Sequence, residues 1–106
     1  MTTFDKREKD FEARFKHDQE FRFKVTARRN RLLGLWAAER MGLSGEAAEN
    51  YARSIVEAEF DPGGDTHIIE KLVADLGAKD QTVSADQVHF ELDHFATRAR
   101  AELMAE

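Results

Sequence analysis

Apolar residues recur along most of this chain at the 3.6-residue spacing of a helix, and no long stretch alternates with period two. That excludes a sheet and leaves an all-α fold. Three interruptions divide the pattern. The firmest is Asp61-Pro62-Gly63-Gly64-Asp65, which holds the only proline and two of the six glycines. A second is Met41-Gly42-Leu43-Ser44, where Gly42 suits a left-handed C-terminal cap and Ser44 an N-cap. The third is Val83-Ser84, where Ser84 and Gln87 match a capping box and Val83 and Val88 a hydrophobic staple.

Four helices follow, and together they make a four-helix bundle. The first core helix is expected over residues 19–41, with Phe21, Val25, Leu32, Leu35, Trp36 and Ala37 inward and the only Trp at its centre. The second turns Ala48, Tyr51, Ala52, Ile55 and Val56 to the core. In the third, Ile68, Ile69, Leu72, Val73 and Leu76 form the apolar side and Gly77 closes it. The fourth carries Val88, Leu92, Phe95, Ala99 and Leu103 inward. At ~1.5 Å per residue the outer two helices reach about 35 Å and the middle two about 18 to 24 Å, which suits one compact bundle.

Residues 1–18 do not fit that bundle. Their large apolar residues are Phe4, Phe11 and Phe15, which fall within ~40° of one another at ~100° per residue, amid dense alternating charge. From Phe21 onward the apolar stripe is rotated by roughly 60°, which places a joint at residues 17–20. The expected organisation is a mobile N-terminal arm, residues 1–18, followed by a bundle, residues 19–106. The charge follows the same division. Residues 1–31 carry ten Lys/Arg and six Asp/Glu, net +4, whereas residues 32–106 carry six and fifteen, net −9. Taken alone, such a segment is marginal as a helix in water. Ordering it costs on the order of 1 kcal/mol per residue, while three buried Phe return about 1.5 to 3 each. A stripe so narrow needs a partner that surrounds it, which favours a deep groove over a flat surface.

Catalytic chemistry finds little support. Without cysteine there is no thiolate nucleophile, thiolate metal site or disulfide framework. Glu91 and His94 have the i, i+3 spacing of a di-iron ligand pair, but no second Glu-x-x-His accompanies them, and His17, His67 and His89 are read as isolated helix residues. No phosphate-binding glycine loop is present, and Ser44, Ser54 and Ser84 fit no Ser-His-Asp arrangement. We therefore expect no enzyme, cofactor or metal. Neither a signal-peptide h-region nor a run of about 18 apolar residues occurs, so neither export nor direct membrane insertion is expected. Arg28, Arg29 and Arg31, with Arg22 and Lys24, could instead contact phosphates, and a basic-arm nucleic-acid-associated helical protein is the alternative. Against it stand the acidic body and the lack of any nucleic-acid motif. The plainer account is that these arginines pair with the body. Packing along the sequence gives no role to Asn30 or Gly34.

The run Arg-Arg-Asn-Arg-Leu-Leu-Gly-Leu-Trp-Ala-Ala-Glu, residues 28–39, resembles the zeta subunit family of alphaproteobacterial ATP synthases. So do the opening Met-Thr-Thr-Phe-Asp, Phe21-Arg22-Phe23-Lys24, Met41-Gly42-Leu43-Ser44-Gly45 and the turn at residues 60–65, while the chain beyond Gly77 is a looser match. The resemblance implies a small helical protein, monomeric when free, that inhibits ATP hydrolysis by the rotary enzyme. It implies that the N-terminal segment enters the cleft between the nucleotide-binding alpha and beta subunits, with gamma as a further neighbour. Contacts would then come from Phe4, Asp5, Arg7, Glu8, Phe11, Glu12 and Phe15. The location would be cytoplasmic, peripheral to the membrane through the ATP synthase.

Overall fold

A computed structural model describes the backbone of residues 3–106, and their side chains apart from residues 3–7, 11–13 and 15. Among the described residues there are four helices and no strand: α1 (Thr3–Arg40), α2 (Gly45–Ala58), α3 (Gly64–Gly77) and α4 (Ala85–Ala105). The all-α expectation and its three boundaries hold. At the first boundary Gly42 takes φ 78°, its N–H reaches Glu39 O at 3.0 Å, and the N–H of Leu43 reaches Ala38 O at 2.9 Å. These are the two bonds of a Schellman cap. Ser84 Oγ accepts from the Gln87 N–H at 3.0 Å, and Val83 and Val88 are both buried, as a capped and stapled start requires. Ser44 also stands at an N-cap position with extended backbone, yet its side chain makes no capping bond.

The end of α3 differs from expectation. Gly77 remains helical, and the left-handed residue is Asp80, φ 59°, three positions on. Asp80 N–H bonds Gly77 O and Gln81 N–H bonds Leu76 O, so the same cap motif is closed by an aspartate. Asp is one of the few residues that tolerates this conformation, because its short polar side chain can bond locally.

α1 packs chiefly on α2 and α4, while α3 lies against α4 and α2 and only grazes α1. Leu72 and Leu76 of α3 and Val88, Leu92 and Phe95 of α4 meet Leu33, Ala37 and Ile55 in one core. On α1 the register departs from expectation: Leu33, Ala37 and Ala38 are fully buried, whereas Leu32, Leu35 and Trp36 are only half-buried. Trp36 packs on the core edge, with the Arg40 guanidinium 5.0 Å from its ring centroid. α2 is likewise turned slightly, with Ala52, Ile55 and Ala58 buried and Ala48, Tyr51 and Val56 half-buried.

Gly34 acquires a reason here. A Cβ at that position would lie 2.7 Å from Ala52 Cα, so the glycine is what lets α1 and α2 approach this closely.

Candidate functional site

The molecule measures 65 × 27 × 21 Å, and its length comes from α1. Thirty-eight helical residues span about 57 Å. The helix runs through residues 17–20 without a break. What changes there is the packing. Among the described side chains, Glu8, Lys9, Asp10, Arg14 and residues 16–20 are all exposed; Phe21 is half-buried, and Val25 is the first buried residue of α1. Of the seven expected contact residues, Glu8 is exposed, and the side chains of Phe4, Asp5, Arg7, Phe11, Glu12 and Phe15 lie outside those described.

Near the first packed turns of α1 sits a polar cluster that the sequence did not announce. Asn30, 0% exposed, accepts from Arg29 Nε at 2.9 Å and donates from Nδ2 to Glu59 Oε2 at 3.0 Å. The Arg29 side chain, only 10% exposed, also reaches Glu59 at 3.3 Å and Asp65 at 2.9 Å. One guanidinium thus ties α1 to both sides of the α2–α3 turn. Such a cluster is stabilising only because every buried donor and acceptor finds a partner, and among the described residues no buried side-chain polar atom lacks one.

The other two arginines are engaged as well. Arg28 meets Glu106 at 2.7 Å, and Arg31 meets Glu49 at 2.9 Å. All three arginines are therefore paired with carboxylates of the acidic body, Arg28 and Arg31 at its surface, which weakens the nucleic-acid alternative.

Beside the cluster two aromatic rings face outward. Phe23 is 58% exposed and Phe60 70% exposed, and their centroids are 6.1 Å apart. Next to them an open groove of about 740 Å³ has Phe23, Ala27, Leu32, Val56 and Leu103 as its apolar lining. The signal for Phe23 was available in the sequence. On a helical wheel it lies ~160° from Phe21 and Val25, so it could not share their side.

The remaining polar groups form small, separate sets. Tyr51 donates to Asp75 Oδ2 at 2.7 Å, and the same oxygen receives Lys71 at 3.0 Å. Burial, then the hydrogen bond to Asp75 and its charge, push the Tyr51 phenol well above its ordinary range. His67 stands 3.2 Å from Asp61 and His89 3.7 Å from Asp93. His94 is exposed and packs edge-on to Phe95, away from any second carboxylate pair. Among the described residues no three His, Asp or Glu side chains converge as metal ligands would, and no helix is long and apolar enough to cross a membrane.

The family model described as ATPase inhibitor subunit zeta matches residues 1–102. The chain belongs to that family. A zeta protein is by that description an inhibitory subunit acting on an ATPase, which is a regulatory role. The resemblance seen in residues 28–39 thus extends over nearly the whole chain. This zeta chain is also similar to a protein solved by solution NMR, at 37% identity and a TM-score of 0.68, over 78% of this chain and 94% of that one. No protein of curated function matches it.

Proposed function

We propose that this zeta-family chain inhibits ATP hydrolysis by the ATP synthase by inserting the N-terminal half of α1 into the cleft between the alpha and beta subunits. The observation that carries this reading is the unbroken run of α1 from Thr3 to Arg40, in which every described side chain before Phe21 is exposed. A helix about 10 to 12 Å across can enter a cleft that a bundle 27 × 21 Å wide cannot. Residues 1–18 are the inserting arm and residues 19–106 the bundle that carries it. Phe4, Phe11 and Phe15 supply the apolar stripe, and Asp5, Arg7, Glu8 and Glu12 its charged borders.

Continuity with the packed part of α1 changes the energetics of ordering. An isolated eighteen-residue segment must nucleate its own helix, whereas an arm attached to an existing helix only extends it, at a statistical weight near one per residue. Burial of three Phe, about 1.5 to 3 kcal/mol each, then goes to binding rather than to nucleation.

No chemistry by the inhibitor is needed. A catalytic interface that opens and closes with rotation is held in one state by a ligand that binds that state better. Deletion of residues 1–15 is expected to leave the helical bundle folded by circular dichroism and to abolish inhibition of hydrolysis by the cognate enzyme. A truncated protein that inhibits as well as the full chain refutes the arm's role.

A further inference from the structure

We infer that the exposed Phe23–Phe60 pair is a second anchor, docking the bundle on the rim of the cleft that receives the arm; this rests on the arm reading above. The occupant is the catalytic-subunit surface at the cleft mouth, an aliphatic patch with a carboxylate placed to meet Lys24.

Continuity carries the argument. Lys16, Gln19, Glu20 and Phe23 stand at i, i+3, i+4 and i+7 on α1, so they form one ridge, and all four are exposed. Phe23 is three residues beyond Glu20, about 4.5 Å along the axis. A surface that encloses the arm to its last exposed turn therefore reaches this ring. Phe60 enlarges the same patch from the turn after α2, with its centroid 6.1 Å away.

The chain on either side of Phe60 is also held in advance. Glu59, the residue before Phe60, is fixed by Asn30 at 3.0 Å and by Arg29 at 3.3 Å. Asp61 N–H bonds Ala58 O at 3.1 Å, which fixes the chain on the other side of Phe60. Aromatic rings that lose little freedom on contact are the usual anchors of protein interfaces. Charge supports the same partner. Arg28, Arg29 and Arg31 are paired within the chain, while Lys24, beside Phe23 on the groove, has no ion pair among the described residues. Two attachment points on one rigid helix raise the effective concentration of the arm at its cleft.

The test is inhibition of hydrolysis by the cognate ATP synthase, titrated with the full chain, with Phe23→Ala/Phe60→Ala and with the deletion of residues 1–15. The double variant is expected to need about tenfold more protein for half-inhibition, with an unchanged melting curve. Phe60→Ala alone, at the more exposed ring, gives the same direction should the double variant fail to fold. Half-inhibition unchanged within about twofold in a folded variant overturns the second anchor. If the deletion also leaves inhibition intact, the arm reading falls with it; if the deletion abolishes inhibition, only the anchor falls. A concentration-dependent dimer in sedimentation, lost in the double variant while inhibition is unchanged, assigns the patch to a second copy and likewise overturns the proposal.

Discussion

Gly34→Ala sets two physical effects directly against each other. Helix propensity alone favours the alanine by about 0.8 to 1.0 kcal/mol in a helix interior. The structure opposes it. The added Cβ would lie 2.7 Å from Ala52 Cα, 3.2 Å from Ile55 Cγ1 and 3.3 Å from Ala52 Cβ, whereas carbon atoms pack at about 3.5 to 4.0 Å. The worst contact is with backbone, which cannot rotate out of the way. α1 and α2 must then separate by about 1 Å, loosening Leu33, Ala37 and Ile55 at the centre of the core. Overpacking of this kind costs about 1 to 3 kcal/mol, here at the upper end, and subtracting the propensity gain leaves a net loss of about 1 to 2 kcal/mol. For a chain of this size that lowers the melting temperature by roughly 4 to 15 °C. Thermal and urea melts followed by far-ultraviolet circular dichroism measure it. Gly77→Ala supplies the comparison, because no heavy atom stands within 4 Å of its missing Cβ. That variant is expected to be unchanged or more stable by up to about 0.5 kcal/mol. If Gly34→Ala proves as stable as the parent, the close approach of α1 and α2 is not what this glycine provides.

Tyr51 is the only tyrosine, so its phenol can be titrated by absorbance without overlap. Its midpoint is expected above the ordinary value near 10, and a midpoint at 10 contradicts the buried bond to Asp75. A phenol raised on folding contributes stability that is complete below its unfolded pKa and lost as pH rises through the folded one. Stability should thus fall above pH ~10 more steeply in the parent than in Tyr51→Phe, as urea melts across that range would register. Asn30→Ala removes a fully buried link between Arg29 and Glu59 and is expected to cost about 2 to 3 kcal/mol. A melt within about 0.5 kcal/mol of the parent means that the cluster is not a structural element.

Element boundaries were legible because each has a local chemical cause: Gly42 and Ser84 cap through bonds to residues within a few positions, and the turn at 61–65 is built from proline and glycine. Core register on α1 was less so. Apolar residues from Leu32 to Ala38 cover most of the helix circumference, so periodicity could not choose Leu33 over Leu32 or Leu35. Trp36, expected at the centre, lies at the edge, and its truncation should accordingly cost less than a full core cavity. Asn30 and Gly34 were opaque for a different reason. The role of each is defined by a residue on another element, Glu59 for one and Ala52 for the other, and no window of neighbouring sequence contains that information. Gly77 was chosen as a cap on residue type alone, and the geometry instead placed Asp80 there. In the arm, the dense charge of the sequence was enough to indicate the exposure seen at Glu8 and at residues 16–20.

The Arg29–Asn30–Glu59–Asp65 knot, buried at its Arg29 and Asn30 end, keys α1 in its seat as a spline keys a shaft. Sliding the helix by one turn would strand a guanidinium and an amide in the interior, so the azimuth at which Glu20 leaves the bundle is dictated ten residues downstream. Inserting a single residue between Glu20 and Val25 would swing everything upstream by about 100° while leaving the knot untouched.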